Sequence, residues 1–304
     1  MYNFLFILIL FKSFIVSEIF SQKSAVRKIS NEFKHISDYT TCYMPIESDP
    51  HYLAIRQFSD SINKKKYYLA LNINTLETRF VRTDTINKFK NLEKKIINNY
   101  ERLRNNLLKK NNNYTGINNI NRQGYVLTLD LCPSTKKFDK LFYDFIVSSN
   151  ITPIYINISG KWIQNHKDDL AYIISNKKNC TIYWVNHSLN HYYDPKKANK
   201  NNFMLDTRNV FENEVLNNEI VMIKNGLIPS PFFRFPGLIA NDILFKKILD
   251  YGLIPIGSDA WLAKGQNVKS GSILLLHING NEPTGLKLFK QFFKSTTLVA
   301  TQIY

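Results

Sequence analysis

The sequence predicts an α/β protein built on a parallel sheet or barrel, and three observations predict it. From residue 124 onward, short β-rich runs alternate with helical patterns as far as the C-terminus. One run, Ser272-Ile-Leu-Leu-Leu-His277, is almost continuously apolar, as suits a parallel strand buried on both faces. Polar residues able to do chemistry stand at the ends of these runs, where a β/α barrel places its active site. The 304-residue chain is 44% hydrophobic and 13% aromatic, which excludes a disordered polymer and allows one large domain or two modest ones.

The first 21 residues stand apart from the fold. Residues 4–11 are a continuous apolar run, interrupted by Lys12 and extended over residues 14–16. That length suits the core of a secretory signal better than a membrane span, with Ser21 as an acceptable cleavage point. No lysine or arginine precedes the run, so an uncleaved N-terminal membrane anchor is the alternative. Either places the rest of the chain outside the cytoplasmic membrane: periplasmic, secreted or anchored on the outer side. Three cysteines (Cys42, Cys132 and Cys180) are too few for a disulfide scaffold, and the lack of a C-x-x-C pair argues against a thiolate zinc site.

Residues 24–110 read as a small α+β region. Within it, 67–73 and 78–82 alternate apolar and polar residues around Asn74-Thr-Leu-Glu77, a hairpin pattern, and a charged amphipathic helix follows over 86–108. Residues 111–123 are polar and Asn-rich, with Gly116, and read as a linker. The barrel pattern fills 124–304. Strands are expected at 125–130, 151–158, 180–185, 254–259, 272–277 and 297–303, and helices at 138–147, 168–175, 210–225, 242–251 and 284–294. The formal charge of +16 suggests an anionic neighbour. The excess is spread along Lys- and Asn-rich stretches rather than gathered in one patch, and no recognition motif accompanies it, so no specific nucleic-acid partner is expected.

Five polar clusters follow the strand-like runs: Asp130; His187 with His191; Arg234; Asp259 with Trp261; and His277. Were residues 187–191 helical, the two imidazoles would share one face and could share a metal ion. Asn, Ser, His and Tyr also crowd together in ordinary loops, and a lone Asp or His is more often a satisfied polar group than a catalyst. Five clusters recurring at the same place in successive β/α units weigh the other way. Their chemistry is complementary, with carboxylates, imidazoles and a guanidinium.

In these residues the chain resembles the NodB-homology polysaccharide deacetylases, metal-dependent carbohydrate esterases that remove N- or O-acetyl groups. Thr128-Leu-Asp130-Leu131-Cys132 is similar to the family's T-F-D-D-G motif, and His187-Ser-Leu-Asn-His191 to its H-[ST]-x-x-H. Arg234-Phe-Pro236-Gly237 matches R-x-P, Ser258-Asp259-Ala-Trp261 the Asp-and-Trp motif, and Leu276-His277 the final Leu-His. The resemblance implies a distorted (β/α) barrel with fewer than eight regular strands, acting on an acetylated cell-wall or cell-surface polysaccharide.

It also implies roles. His187 and His191 would hold a divalent metal, usually zinc, with cobalt or nickel as alternatives. Asp130 would be the general base, with Arg234 beside it. His277 would be the general acid, oriented by Asp259. Gly237 would offer a backbone N–H to the oxyanion, and Trp261 would line the acetyl pocket. One position departs from the pattern. The family's metal-binding aspartate falls on Leu131, which cannot coordinate. The third ligand is then Cys132, Asp194, or water and substrate; failing all three, the chain is a catalytically impaired glycan-binding relative.

Overall fold

The computed structural model describes residues 33–46, 49–85, 98–109 and 114–304, so the apolar segment at residues 1–21 lies outside the described residues. The N-terminal region forms four antiparallel strands in sequence order: β1 (Ile36–Pro45), β2 (Tyr52–Asp60), β3 (Lys66–Asn72) and β4 (Thr78–Arg82). The expected hairpin is the β3–β4 pair. Its turn is held by the Asn72 side-chain oxygen, which accepts from the N–H groups of Asn74 and Thr75. β1 and β2 were not expected from the sequence. β1 is half-exposed along most of its length and β2 is buried at six of its nine residues, four of them consecutive, so neither shows clean alternation. Of the helix expected over 86–108, the described part is α1 (Asn99–Lys109).

The second sheet holds β5 (Val126–Leu131), β6 (Ile154–Ile158), β7 (Ile182–Asn186), β8 (Pro229–Phe233), β9 (Ile254–Pro255), β10 (Ala260–Trp261) and β11 (Ile273–His277). All seven are parallel, in the order β10-β11-β5-β6-β7-β8-β9. Between them run α2 (Lys140–Ser148), α3 (Gly160–Asn165), α4 (Lys167–Asn176), α5 (Asn218–Lys224) and α6 (Asp242–Asp250), and α7 (Pro283–Ser295) follows β11. The expected distorted barrel is therefore present, with seven strands. α3 is an unanticipated extra turn, started by Ser159, whose hydroxyl caps the Trp162 N–H at 3.3 Å. The helix expected over 210–225 is present over 211–224, with a π-helical segment, Asn213–Asn217, in its first half.

The strand expected at 297–303 does not form. Both edges of β5 are taken, by β11 and β6, so only Tyr125, just before the strand, is free to pair with the tail. Tyr125 donates to the Val299 carbonyl and accepts from the Thr301 N–H, each at 2.9 Å.

The segment read as a linker is bound into the barrel. Ile117 donates to the Pro255 carbonyl and accepts from the Gly257 N–H, while Ile120 donates to the Gly271 carbonyl. These bonds tie the end of β9 to the approach of β11, across the seam between the sheet's two edges. Gly116 permits the approach: at its φ of +108, a Cβ would stand 2.1 Å from the Pro255 carbonyl oxygen.

Two apolar layers follow from strand parity. Leu127, Leu129 and Leu131 of β5, with Ile154, Ile156 and Ile158 of β6, pack outward against α2 and α7 through Phe142, Ile146 and Phe289. Val126, Tyr155, Tyr183, Phe232 and Ile273 face inward and pack with Leu53, Ile55, Leu69 and Tyr100 of the N-terminal region. The core runs across the boundary drawn at 111–123, because the antiparallel sheet covers the barrel's lower end.

Candidate active site

The period of two that buries Leu127, Leu129 and Leu131 outward turns Thr128 and Asp130 into the barrel. The parallel register sets Asp130 opposite His277 on one side and Asn157 on the other. His187 follows the last residue of β7, on the parity of the inward-facing Tyr183 and Val185. Asp130, Cys132, His187, His191, Gly237, Trp261 and His277 line one cavity of about 560 Å³. Arg234 stands behind Asp130, fully buried.

The His187–His191 run is not helical, contrary to the geometry considered for it. It is a loop in which Ser188 and His191 take left-handed conformations, with φ of 64 and 46. The Ser188 backbone N–H donates to the Asn186 side-chain oxygen, and the Ser188 hydroxyl accepts from the His191 N–H. This turn still brings the two rings to 4.6 Å between centroids. His187 Nδ1 donates to the Arg234 carbonyl at 2.8 Å. A carbonyl can only accept, so the ring proton is fixed there and the Nε2 lone pair faces the cavity. Burial lowers the His187 pKa to about 4, which keeps the ring neutral.

Asp130 sits 3.6 Å from Arg234 Nη1 and 3.8 Å from His187 Nε2, and accepts from Asn157 Nδ2. Burial raises its pKa, but the neighbouring Arg234, His187 and His277 outweigh that and hold the carboxyl below its ordinary range. Arg234 donates from Nη2 to Thr128 Oγ1 at 2.8 Å, while Nε and Nη1 have no hydrogen-bond partner among the described residues. At Gly237, φ is +63 and a Cβ would stand 2.5 Å from the Phe203 ring, so only glycine fits this part of the wall.

Asp259 is not beside His277. It accepts from the Ile273 N–H at 2.8 Å and contacts Asn119 and Ser272, at the opposite end of β11. Its place in the sequence, two residues before Trp261, put it near the site; the β10–β11 register, with Trp261 opposite Leu275, carries it away. The carboxylate on His277 is Glu282, which accepts from Nδ1 at 2.9 Å and from Trp261 Nε1 at 2.9 Å. Burial lowers the His277 pKa, but Cys132, Glu282 and Asp130 more than reverse this and leave it well above the ordinary value. Sequence reasoning missed Glu282 and Asn157. The first is a carboxylate just before the proline that opens α7; the second is a polar residue inside the apolar run of β6, and such a residue in a barrel strand points inward.

Leu131 is fully buried against the helices, so its side chain is directed away from the cavity. The next inward position is Cys132, with Sγ 3.4 Å from His187 Nε2. Burial raises the Cys132 pKa, but the adjoining His191 and His277 overcome it and bring the thiol to about 7. Potential ligand atoms of Cys132, His187 and His191 all lie within 4.8 Å of one another. His191 Nε2 is buried with no hydrogen-bond partner among the described residues. An orphaned imidazole nitrogen beside a neutral imidazole and a thiol is a donor set that fits a divalent metal. Asp194 is engaged elsewhere, accepting from the Lys196 N–H and from the Tyr192 hydroxyl.

The structure is similar to solved carbohydrate esterases. A family 4 carbohydrate esterase from Bacillus anthracis aligns over 66% of this chain and 86% of its own, at 18% identity and a TM-score of 0.46. A family 4 carbohydrate esterase from Streptomyces lividans aligns over 60% and 94%, at 16% identity and a TM-score of 0.43. A CE4 family pseudoenzyme from Bacillus anthracis aligns over 59% and 63%, at 13% identity and a TM-score of 0.42. No protein-family model matches the chain. At these identities the functional reading rests on the site's own residues.

Proposed function

We propose that the chain is a metal-dependent hydrolase that removes N- or O-linked acetyl groups from a cell-wall or cell-surface polysaccharide. The observation that carries this reading is the convergence of an ionised buried carboxylate, Asp130, a neutral imidazole, His187, and a protonated imidazole, His277, on one cavity. Base and acid are held at opposite charge states by their surroundings, as a two-proton transfer requires.

His187 and His191 would hold the ion, which when bound polarises the acetyl carbonyl and acidifies an attacking water. Asp130, kept ionised by Arg234, accepts that water's proton. His277, its Nδ1–H fixed on Glu282, delivers the Nε2 proton to the departing amine or alkoxide. The Gly237 N–H stabilises the developing oxyanion. Trp261 forms the wall against the acetyl methyl, and the exposed Tyr193 ring, stacked 5.1 Å from Phe203, offers an apolar face to a sugar. In this reading residues 1–21 direct export or anchor the chain to the membrane, which N-terminal sequencing of the exported protein tests by showing whether cleavage follows Ser21.

The deciding experiment is acetate release from acetylated glucosamine oligomers and O-acetylated glycans, with the purified protein stripped of metal and then reloaded with zinc. Reloading should restore release, and Asp130→Asn and His277→Ala should each abolish most of it. A metal-loaded protein that binds these glycans but releases no acetate would instead be the catalytically impaired glycan-binding relative.

A further inference from the structure

We infer that Cys132, as a thiolate, is the third protein ligand of the metal, making a Cys-His-His centre where the resembled family uses a carboxylate. This deepens the deacetylase reading and rests on it for the presence of a metal. Three observations converge. Strand parity directs residue 131 into the helix-facing layer and residue 132 into the cavity, so of these two positions the one that offers the cavity a donor is Cys132, through sulfur. Cys132 Sγ lies 3.4 Å from His187 Nε2, whose lone pair is exposed because Nδ1 is committed to the Arg234 carbonyl. A ring nitrogen of His191 completes a triangle in which all donor atoms lie within 4.8 Å, and its Nε2 is buried with no hydrogen-bond partner among the described residues.

The spacing matches the bond lengths. Zinc–sulfur and zinc–nitrogen bonds at a tetrahedral angle set the two donor atoms about 3.6 Å apart, close to the 3.4 Å observed. The other grouping, Asp130 with Cys132 and His277, shares the same sulfur, but Arg234 pairs with its carboxylate and Glu282 with its imidazole. Cys132 is therefore common to every arrangement that the described residues offer. On binding, the thiol proton leaves to solvent and sulfur donates an electron pair; nothing is oxidised or reduced. One neutral-imidazole pair with one anionic donor preserves the net charge of a His-His-Asp centre while making it softer. Such a centre should hold thiophilic ions such as zinc, cobalt and cadmium in preference to magnesium or manganese.

The test is a cobalt(II) titration of the purified chain followed by absorbance. Wild type should develop a thiolate-to-cobalt charge-transfer band in the near-ultraviolet, and Asp130→Asn should keep it. Cys132→Ser should lose the band and weaken cobalt binding by more than about 100-fold, beyond the roughly 10- to 100-fold that loss of a merely supporting group costs. Cys132→Asp should bind cobalt without the band, which guards against a serine variant that fails to fold. Zinc should also shield Cys132 from iodoacetamide, read by peptide mass mapping, and chelation should expose it. Cobalt bound with no charge-transfer band, at an affinity unchanged in Cys132→Ser, would overturn the ligand assignment and leave the deacetylase reading standing. Acetate release blocked by alkylation in metal-free protein would overturn it too, in favour of a thiol nucleophile. If wild type binds no cobalt at all, both readings fall together.

Discussion

Two buried arginine–carboxylate pairs hold this molecule, and they are built differently. Where the N-terminal sheet meets the barrel, Arg56 of β2 grips Glu219 of α5 through two bonds, at 2.7 and 2.9 Å. Its remaining Nη1 donates to the Ile55 and Tyr251 carbonyls, and the Tyr39 hydroxyl donates to the same carboxylate. At the barrel mouth Arg234 and Asp130 are equally buried, yet they stand 3.6 Å apart, with Arg234 Nε and Nη1 unsatisfied among the described residues. A saturated pair closes a structural joint. An unsaturated one keeps hydrogen-bonding capacity for something that arrives later, and leaving polar groups buried without partners is costly enough to need a reason. The joint also reaches the site, because Asn186, the residue before His187, donates to Glu219 and to the Val215 carbonyl.

The contrast can be broken at either end. The largest effect is expected at the mouth: Asp130→Asn should lower acetate release by roughly 10²- to 10⁴-fold, the usual worth of a general base, while costing less stability than the loss of a directly bonded buried pair, because Arg234 and Asp130 stand 3.6 Å apart. Activity assays and urea denaturation on the same preparation check both halves. Arg56→Met should do the reverse. It leaves Glu219 charged and buried, and should cost about 3–5 kcal/mol of stability in denaturant titration, with kcat on the surviving folded protein little changed.

A smaller effect is pH-dependent. His187 titrates near 6.5 when unfolded but at about 4 in the fold, so the unfolded chain binds the proton first. Its stabilising contribution is complete above pH 6.5 and is lost as pH falls from 6.5 toward 4, by about 3 kcal/mol in metal-free protein. His187→Asn should flatten that slope in unfolding curves measured across the window. The smallest effect is Glu282→Gln. A neutral partner no longer favours the charged His277 ring, so kcat should drop by roughly tenfold, and the alkaline limb of its pH profile should move to lower pH. An unchanged profile would remove Glu282 from the proton path.

These differences also show what the sequence could and could not reveal. Asp130, His187, Arg234 and His277 were legible because each closes an apolar run, and strand ends in parallel barrels converge. The hairpin around Asn72 was legible for a similarly local reason. Asp259 and Glu282 were not distinguishable, because the choice depends on how β10 registers against β11, a non-local pairing of two residues. Leu131 looked like a missing ligand when counted along a motif; counted by strand parity, it belongs to the helix-facing layer and Cys132 to the cavity. The linker composition of residues 114–123 hid two inward isoleucines, Ile117 and Ile120, that bridge the seam. Antiparallel β1 and β2 were lost because their burial does not alternate cleanly.

The most direct test of the account is anomalous scattering from crystals grown with zinc, collected on both sides of the zinc edge. The account predicts one strong peak at the barrel mouth, bonded to His187 Nε2, His191 Nε2 and Cys132 Sγ, with Asp130 beside it and the Arg56–Glu219 joint empty. A mouth without a peak in zinc-saturated crystals, or an ion bound elsewhere while His191 Nε2 stays unpartnered, would contradict it.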